Sequence, residues 1–220
     1  MPALNEEEAL PFSLAEAVDA LAEVAETWEL IVVDDGSRDS TPLILSRWAA
    51  RDERIRVLTQ RPSQGYSRAM ARGFDASRYL TVLATDADGQ FDLRQALELY
   101  PHLQRAEMVA GFRLGRREGW RRRLGSWGYN RLVGLLLGLE VRDVNCSMKL
   151  IRQSALQLAR LESDGFLVDA ELYLRLREAG LRWVQVGVEH RPRRHGVSTV
   201  GLGHVLPTLR GLWRLRRSMA

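Results

Sequence analysis

Tyr79-Leu80-Thr81-Val82-Leu83-Ala84-Thr85-Asp86-Ala87-Asp88-Gly89-Gln90-Phe91-Asp92 is the stretch on which the reading of this chain turns. Its first five residues, Tyr79 to Leu83, are an apolar, β-branched run that predicts a buried strand. The run then breaks into Asp86-Ala87-Asp88-Gly89-Gln90, with two carboxylates at the carboxyl end of the strand. That is the edge where open α/β sheets bind ligands. Two carboxylates one residue apart, followed by a flexible glycine and an amide, suit a divalent ion that substrate phosphates also hold. A polar turn built from Asp and Gly fits the same residues, so the rest of the chain has to separate the two readings.

Working outward, Leu30-Ile31-Val32-Val33 is a second continuous apolar run and ends in Asp34-Asp35-Gly36-Ser37, a second acidic strand end. Ser13-Leu14-Ala15-Glu16 has capping-box spacing, and the apolar recurrence behind it predicts a helix over roughly Ser13 to Thr27. Thr41-Pro42 starts the next helix with proline in its first turn. Ile55 to Leu58 reads as a strand, Gly65 to Ser77 and Leu93 to Leu103 as helices, and Met108 to Ala110 as a short strand. Beyond Gly111, Trp120 to Leu139 reads as a long helix, basic at Arg121, Arg122 and Arg123. A returning strand is expected at Met148 to Ile151, a helix at Phe166 to Ala179, a strand at Trp183 to Val188 and an amphipathic helix at Val205 to Arg217. Strands and helices alternate without hairpin signals, which argues for a parallel, doubly wound sheet.

With 220 residues and 45% hydrophobic content, the chain can bury one sizeable core. The net charge of +4 is carried by arginine, since Lys149 is the only lysine. Arginine matches phosphates bidentately, which favours anionic partners: nucleotides, lipid phosphates or a membrane surface. The arginines do not alternate with aromatics as in a nucleic-acid binder, so no nucleic-acid partner is expected. Cys146 stands alone, which predicts a reducing cytoplasmic setting rather than a disulfide framework. No apolar run approaches the roughly 20 residues of a spanning helix, so one soluble domain is expected. P-loop and dinucleotide glycine motifs are both absent, and a nucleotide must be gripped in another way.

Taken in order, PALNEEE, IVVDDGSRDST, YLTVLATDADGQFD, VAGFR, RDVNCSMKL and HRPRRHGVST resemble the motifs of family 2 glycosyltransferases, in particular the dolichol-phosphate mannosyltransferase and polyprenyl-phosphate branch. The resemblance implies a GT-A fold, a Rossmann-like α/β sheet flanked by helices. It implies a single domain over residues 1–220, with a nucleotide-sugar half (1–110), an acceptor half (111–200) and a C-terminal amphipathic helix (201–220). It also implies a nucleotide-sugar donor, of the GDP-mannose or UDP-glucose type, and Mg2+ or Mn2+ held by Asp86, Asp88 and Gln90. Pro2, Glu6, Val32, Asp34, Asp86, Ala87, Asp88, Arg113 and Arg193 would bind the donor. Asp88, Arg113, Asp143 and Glu171 would carry catalysis, and Arg121 to Arg123 the phosphate of a polyprenyl acceptor at the inner membrane face.

Two departures qualify the pattern. The chain opens inside the first motif, so either a segment lies upstream or the sheet lacks an inner strand and exposes edges. Leu4 stands where the family has an aromatic, and Thr199 where many relatives carry lysine, with Arg191 and Arg194 as substitutes. A lipid-phosphate acceptor is already anionic and needs positioning, whereas a hydroxyl acceptor needs a base such as Asp143 or Glu171. A nucleotide-sugar binder without catalysis also fits the departures.

Overall fold

A computed structural model describes residues 1–115, 120–192 and 205–218. The chain runs β1 (Pro2–Ala3), α1 (Leu10–Val24), β2 (Leu30–Asp34), α2 (Thr41–Ala49), β3 (Ile55–Thr59), α3 (Tyr66–Ala76) and β4 (Thr81–Ala84). After α4 (Ala96–Leu99) come β5 (Met108–Leu114), α5 (Trp120–Leu137), β6 (Lys149–Arg152), α6 (Gln153–Ala159), α7 (Val168–Glu178), β7 (Trp183–Glu189) and α8 (Val205–Arg217). Strands β1, β2 and β3 form one parallel sheet, and a second sheet has the order β4-β6-β5-β7.

Of the two readings of the N-terminal end, the one in which the sheet lacks a first strand does not hold: a two-residue β1 is present at the end of the first sheet. Pro2 and Ala3 pair in parallel register with Val33 and Asp34. Val33 N donates to Met1 O at 2.8 Å and Asp35 N to Ala3 O at 2.9 Å, which closes the edge of β2. The mostly parallel reading holds, with one strand reversed. β6 is antiparallel to both β4 and β5, while β5 and β7 are parallel. Strand–helix alternation implies a parallel return only when the helix crosses back along the sheet, and α5 instead packs chiefly against α8.

Other boundaries moved for local reasons. Helix α1 starts three residues ahead of Ser13 with proline in its first turn, and Ser13 Oγ donates to Ala9 O at 3.1 Å instead of capping. Tyr79 and Leu80 lie outside β4, with Leu80 86% exposed. The expected helix from Leu93 to Leu103 is broken into two 3-10 turns around α4. Asp92 caps the first turn and Pro101, lacking an N–H, interrupts the ladder. Helix α6 was not foreseen; its seven residues are too few to show a period.

Two apolar clusters hold these layers together. Val32, Leu10, Leu14 and Leu45 pack with Ala3 and Ala87 around the first sheet. Met108, Ile151, Leu172 and Leu174 pack between the second sheet and its helices. Each such side chain contributes roughly 1.5–3 kcal/mol of burial. Helix α8 docks on this second cluster through Leu212 and Leu215. Its approach is close enough that a Cβ on Gly211 would fall 2.0 Å from Leu167 Cδ1. Among the described residues no helix is long and apolar enough to cross a membrane.

Candidate active site

Both acidic strand ends meet the same core. Ala3, Val32, Leu83 and Ala87 belong to one apolar cluster, so the turn carrying Asp86 and Asp88 is seated beside the end of β2. Ala87 is buried between the two aspartates, and its packing fixes the turn. Val32 is fully buried in that core, so its side chain serves packing beneath the site and does not line it.

The adjacent aspartates of β2 have separate tasks. Asp35 accepts from Gln60 Nε2 at 2.8 Å, Ser63 Oγ at 2.7 Å, Gln64 N at 2.7 Å and Gly65 N at 2.9 Å. It is saturated and ties the loop before α3 to the sheet. Asp34 is fully buried; Oδ1 accepts from Ser37 N at 2.9 Å, and Oδ2 has no hydrogen-bond partner among the described residues. A buried carboxylate oxygen left unpaired costs free energy, so Asp34 is poised for a donor supplied by a ligand. Around it, Asn5 N donates to Ser37 Oγ and Glu6 N to Thr41 Oγ1, each at 2.9 Å. Pro2, paired with Val33, and Glu6 thereby lie beside the end of β2.

In the acidic turn, Asp88 Oδ1 accepts from Gln90 N at 3.0 Å, an Asx turn that holds its carboxylate. Gly89, at φ +67°, supplies the left-handed conformation that the turn needs. Asp86 Oδ1 accepts from Tyr66 OH at 3.3 Å, and Tyr66 stacks on Phe166 at 5.7 Å between centroids. Burial first, then the charge of Asp86, drives the Tyr66 phenol well above its ordinary value, so it stays a donor. Gln90 Nε2 donates to Arg191 O at 3.1 Å, which leaves the amide oxygen as the end available to a cation. Among the described residues no group of three or more His, Cys, Asp or Glu is placed to hold a metal. Two carboxylates and an amide oxygen fit a hard divalent ion whose remaining ligands come from phosphate and water.

A feature that the sequence reading missed lies next to this turn. Lys149, facing Ala84 across the β4–β6 ladder, is 1% exposed. Its ammonium donates to Asp169 Oδ1 at 2.6 Å, to Val144 O at 3.2 Å and to Cys146 O. Asp169 occupies the first turn of α7. Burial pushes its carboxyl up more than Lys149 draws it down, and the charges of Asp86 and Asp143 raise it further. Asp169 therefore shares the electrostatic field of the acidic turn. Glu171, the expected acid of this helix, accepts from Glu162 N at 2.9 Å and Ser163 N at 2.8 Å and pairs with Arg175 at 3.5 Å. It anchors the loop before α7, because residues two apart on a helix point to different sides. The signal available in the sequence was the single lysine of an otherwise all-arginine chain.

Arg113 and Asp143, expected in separate roles, form one unit. Arg113 Nε donates to Asp143 Oδ2 at 2.7 Å and Nη2 to Oδ1 at 2.8 Å, a bidentate pair whose side chains are 9% and 5% exposed. Cys146 is buried, and burial pushes its thiol up to about 12, so it serves packing. Arg121, Arg122 and Arg123 open α5; Arg123 is exposed, and the side chains of Arg121 and Arg122 lie outside the described residues, as does Arg193. Trp120, Leu124 and Trp127 on the same turns are exposed. Arg191 is engaged elsewhere, with Glu16 and Asp92, and is not a spare phosphate ligand.

The chain is similar in sequence to several known proteins. Dodecaprenyl-phosphate galacturonate synthase of Rhizobium johnstonii is 29% identical over 210 residues, which span 92% of this chain and 61% of that protein. Glycosyltransferase AglD of Haloferax volcanii is 31% identical over 204 residues, spanning 88% of this chain but only 32% of that one. Undecaprenyl-phosphate mannosyltransferase of Micrococcus luteus is 29% identical, over 93% of this chain and 87% of the relative. The chain thus spans less than two thirds of the length of the first two relatives. Among solved structures, glucosyl-3-phosphoglycerate synthase from Mycobacterium tuberculosis with uridine diphosphate superposes with a TM-score of 0.70 at 21% identity, covering 99% of this chain and 77% of that one. That likeness bears out the GT-A fold. Residues 1–158 match the family described as glycosyl transferase family 2, and the chain belongs to that family.

Proposed function

We propose that this chain is a metal-dependent, inverting glycosyltransferase that moves a hexose, mannose in the first instance, from a nucleotide diphosphate sugar to a polyprenyl phosphate. The observation that carries the reading is the pairing of a buried Asp34 oxygen, without a hydrogen-bond partner among the described residues, with the Asp86–Asp88 turn on one core. Asp34 would accept a hydrogen bond from the nucleoside, with Pro2 and Glu6 beside it. Asp86, Asp88 and the Gln90 oxygen would hold Mg2+ or Mn2+, which neutralises the diphosphate as it leaves. Relatives crystallised with Mn2+ and uridine diphosphate glucose favour such an ion.

In the transfer itself, an anionic phosphate oxygen of the acceptor attacks the anomeric carbon. The bond from that carbon to the donor diphosphate breaks, and its electron pair departs with the nucleoside diphosphate. One in-line displacement inverts the centre. No side chain has to remove a proton, and the state of the acids agrees: Asp143 is clamped by Arg113 and Glu171 by its loop. The names of the relatives, which specify dodecaprenyl and undecaprenyl phosphates, support the same acceptor class.

The acceptor would approach along α5. Arg121 to Arg123 supply cations for its phosphate, and exposed Trp120, Leu124 and Trp127 supply an apolar face. Helix α8 adds exposed Leu206, Leu209 and Trp213 among Arg210, Arg214, Arg216 and Arg217. That mixture suits peripheral contact with an anionic membrane surface. Replacing Arg121, Arg122 and Arg123 with glutamine should raise the KM for undecaprenyl phosphate about tenfold or more, with donor KM unchanged. Unchanged acceptor KM in that variant would favour a hydroxyl acceptor.

A further inference from the structure

Arg191 follows β7, and its backbone N–H, its carbonyl and both terminal guanidinium nitrogens are engaged at the acidic turn or beside it. Its backbone N donates to Gln90 O at 2.8 Å, and its carbonyl accepts from Gln90 Nε2 at 3.1 Å. Its guanidinium reaches Asp92 Oδ2 at 2.7 Å and also pairs with Glu16 on α1. Asp92 in turn caps the 3-10 turn at Leu93 through Arg94 N. Gln90 is thus gripped on both its backbone and its amide by one residue, and that residue is pinned to two separate elements.

We infer that Arg191 is a positioning residue for the cation: it sets the orientation of the Gln90 amide and so tunes the affinity of the Asp86–Asp88 turn for its divalent ion. The inference rests on the metal reading proposed above. Its physical basis is amide geometry. An amide whose NH2 is held against a fixed carbonyl keeps its nitrogen on that side and turns its oxygen to the other. If the carbonyl moves, the amide is free to rotate and the oxygen is no longer held toward the ion. Groups that orient metal ligands in this way commonly alter affinity by 10–100-fold. The contacts are local to the turn, since the Arg191 side chain is 37% exposed and its partners Glu16 and Asp92 are 32% and 26% exposed. Ion pairs at that exposure add little to global stability.

The test is direct binding of Mn2+, followed by the electron paramagnetic resonance of the free ion, in the presence of uridine or guanosine diphosphate. Arg191→Met should weaken Mn2+ binding roughly tenfold, and Glu16→Gln should shift it in the same direction by less. The melting temperature should hold within about 2 °C, and kcat at saturating Mn2+ should stay near wild type while the Mn2+ needed for half activation rises. Asp88→Asn is the control for the underlying reading. If Asp88→Asn binds Mn2+ as tightly as wild type, the metal reading fails and this inference falls with it. If Asp88→Asn abolishes binding but Arg191→Met leaves it unchanged, the inference alone is overturned. A melting temperature lowered by many degrees in both Arg191→Met and Glu16→Gln, without a selective change in Mn2+ affinity, would likewise overturn it in favour of a structural tie.

Discussion

Asp88→Asn is expected to lower sugar transfer about 10³-fold, equivalent to about 4 kcal/mol of lost transition-state stabilisation. The substitution keeps the side chain's size, and its Oδ1 can still accept the Gln90 N–H that Asp88 receives at 3.0 Å. What it removes is one negative charge from a turn in which two carboxylates and one amide oxygen are to hold a divalent ion. The leaving diphosphate then departs with its charge poorly balanced. Because the Asx turn survives, the melting temperature should move by no more than a few degrees. Activity within tenfold of wild type, at any Mn2+ concentration, would show that Asp88 is an ordinary turn residue.

Lys149→Met should be the most destabilising single substitution near the site, at roughly 3–5 kcal/mol, because it strands Asp169 as a buried carboxylate without its cation. For a chain of 220 residues that corresponds to a melting temperature lower by about 6–20 °C. Methionine nearly matches the volume, so the loss is electrostatic and not a cavity. The pH dependence follows with a definite sign. The Asp169 carboxyl already sits above its ordinary value through burial, and without Lys149 it rises further. The folded state then binds a proton over a range where the unfolded chain does not, so stability falls as pH rises through that range. The defect relative to wild type should therefore be smaller near pH 5 than near pH 8. A defect that is constant with pH would mean that Asp169 is not what the lysine neutralises. Calorimetric melting of both proteins across that range measures it.

Much of the fold was legible because its signals are local. The β-branched runs ending in Asp34 and Asp86, and the amphipathic period of Val205–Arg217, declare themselves within a dozen residues. Both acidic strand ends could be read locally, but their meeting could not: β2 and β4 belong to different sheets, and a shared apolar cluster seats the Asp86–Asp88 turn beside Asp34. Strand direction was not local: β6 is antiparallel because of where α5 delivers the chain, which depends on helix packing. Three features of the site were hidden in the same way. Arg113 and Asp143 neutralise each other across 30 positions, and Arg191 meets Glu16 across 175. No spacing rule reaches so far. Asp169 and Glu171 are chemically alike, and only the direction each faces on α7 separates the acid near the turn from the loop anchor.

On the proposed function, the acidic turn and Asp34 together serve transfer of a sugar to a lipid phosphate. That function is tested most directly by incubating the protein with undecaprenyl phosphate, Mn2+ and radiolabelled GDP-mannose or UDP-glucose, then measuring label in the organic phase. Label should partition with the lipid from at least one of these donors, require Mn2+, and disappear with Asp88→Asn. Donor binding by calorimetry without any label in the lipid phase, from either donor, would contradict it.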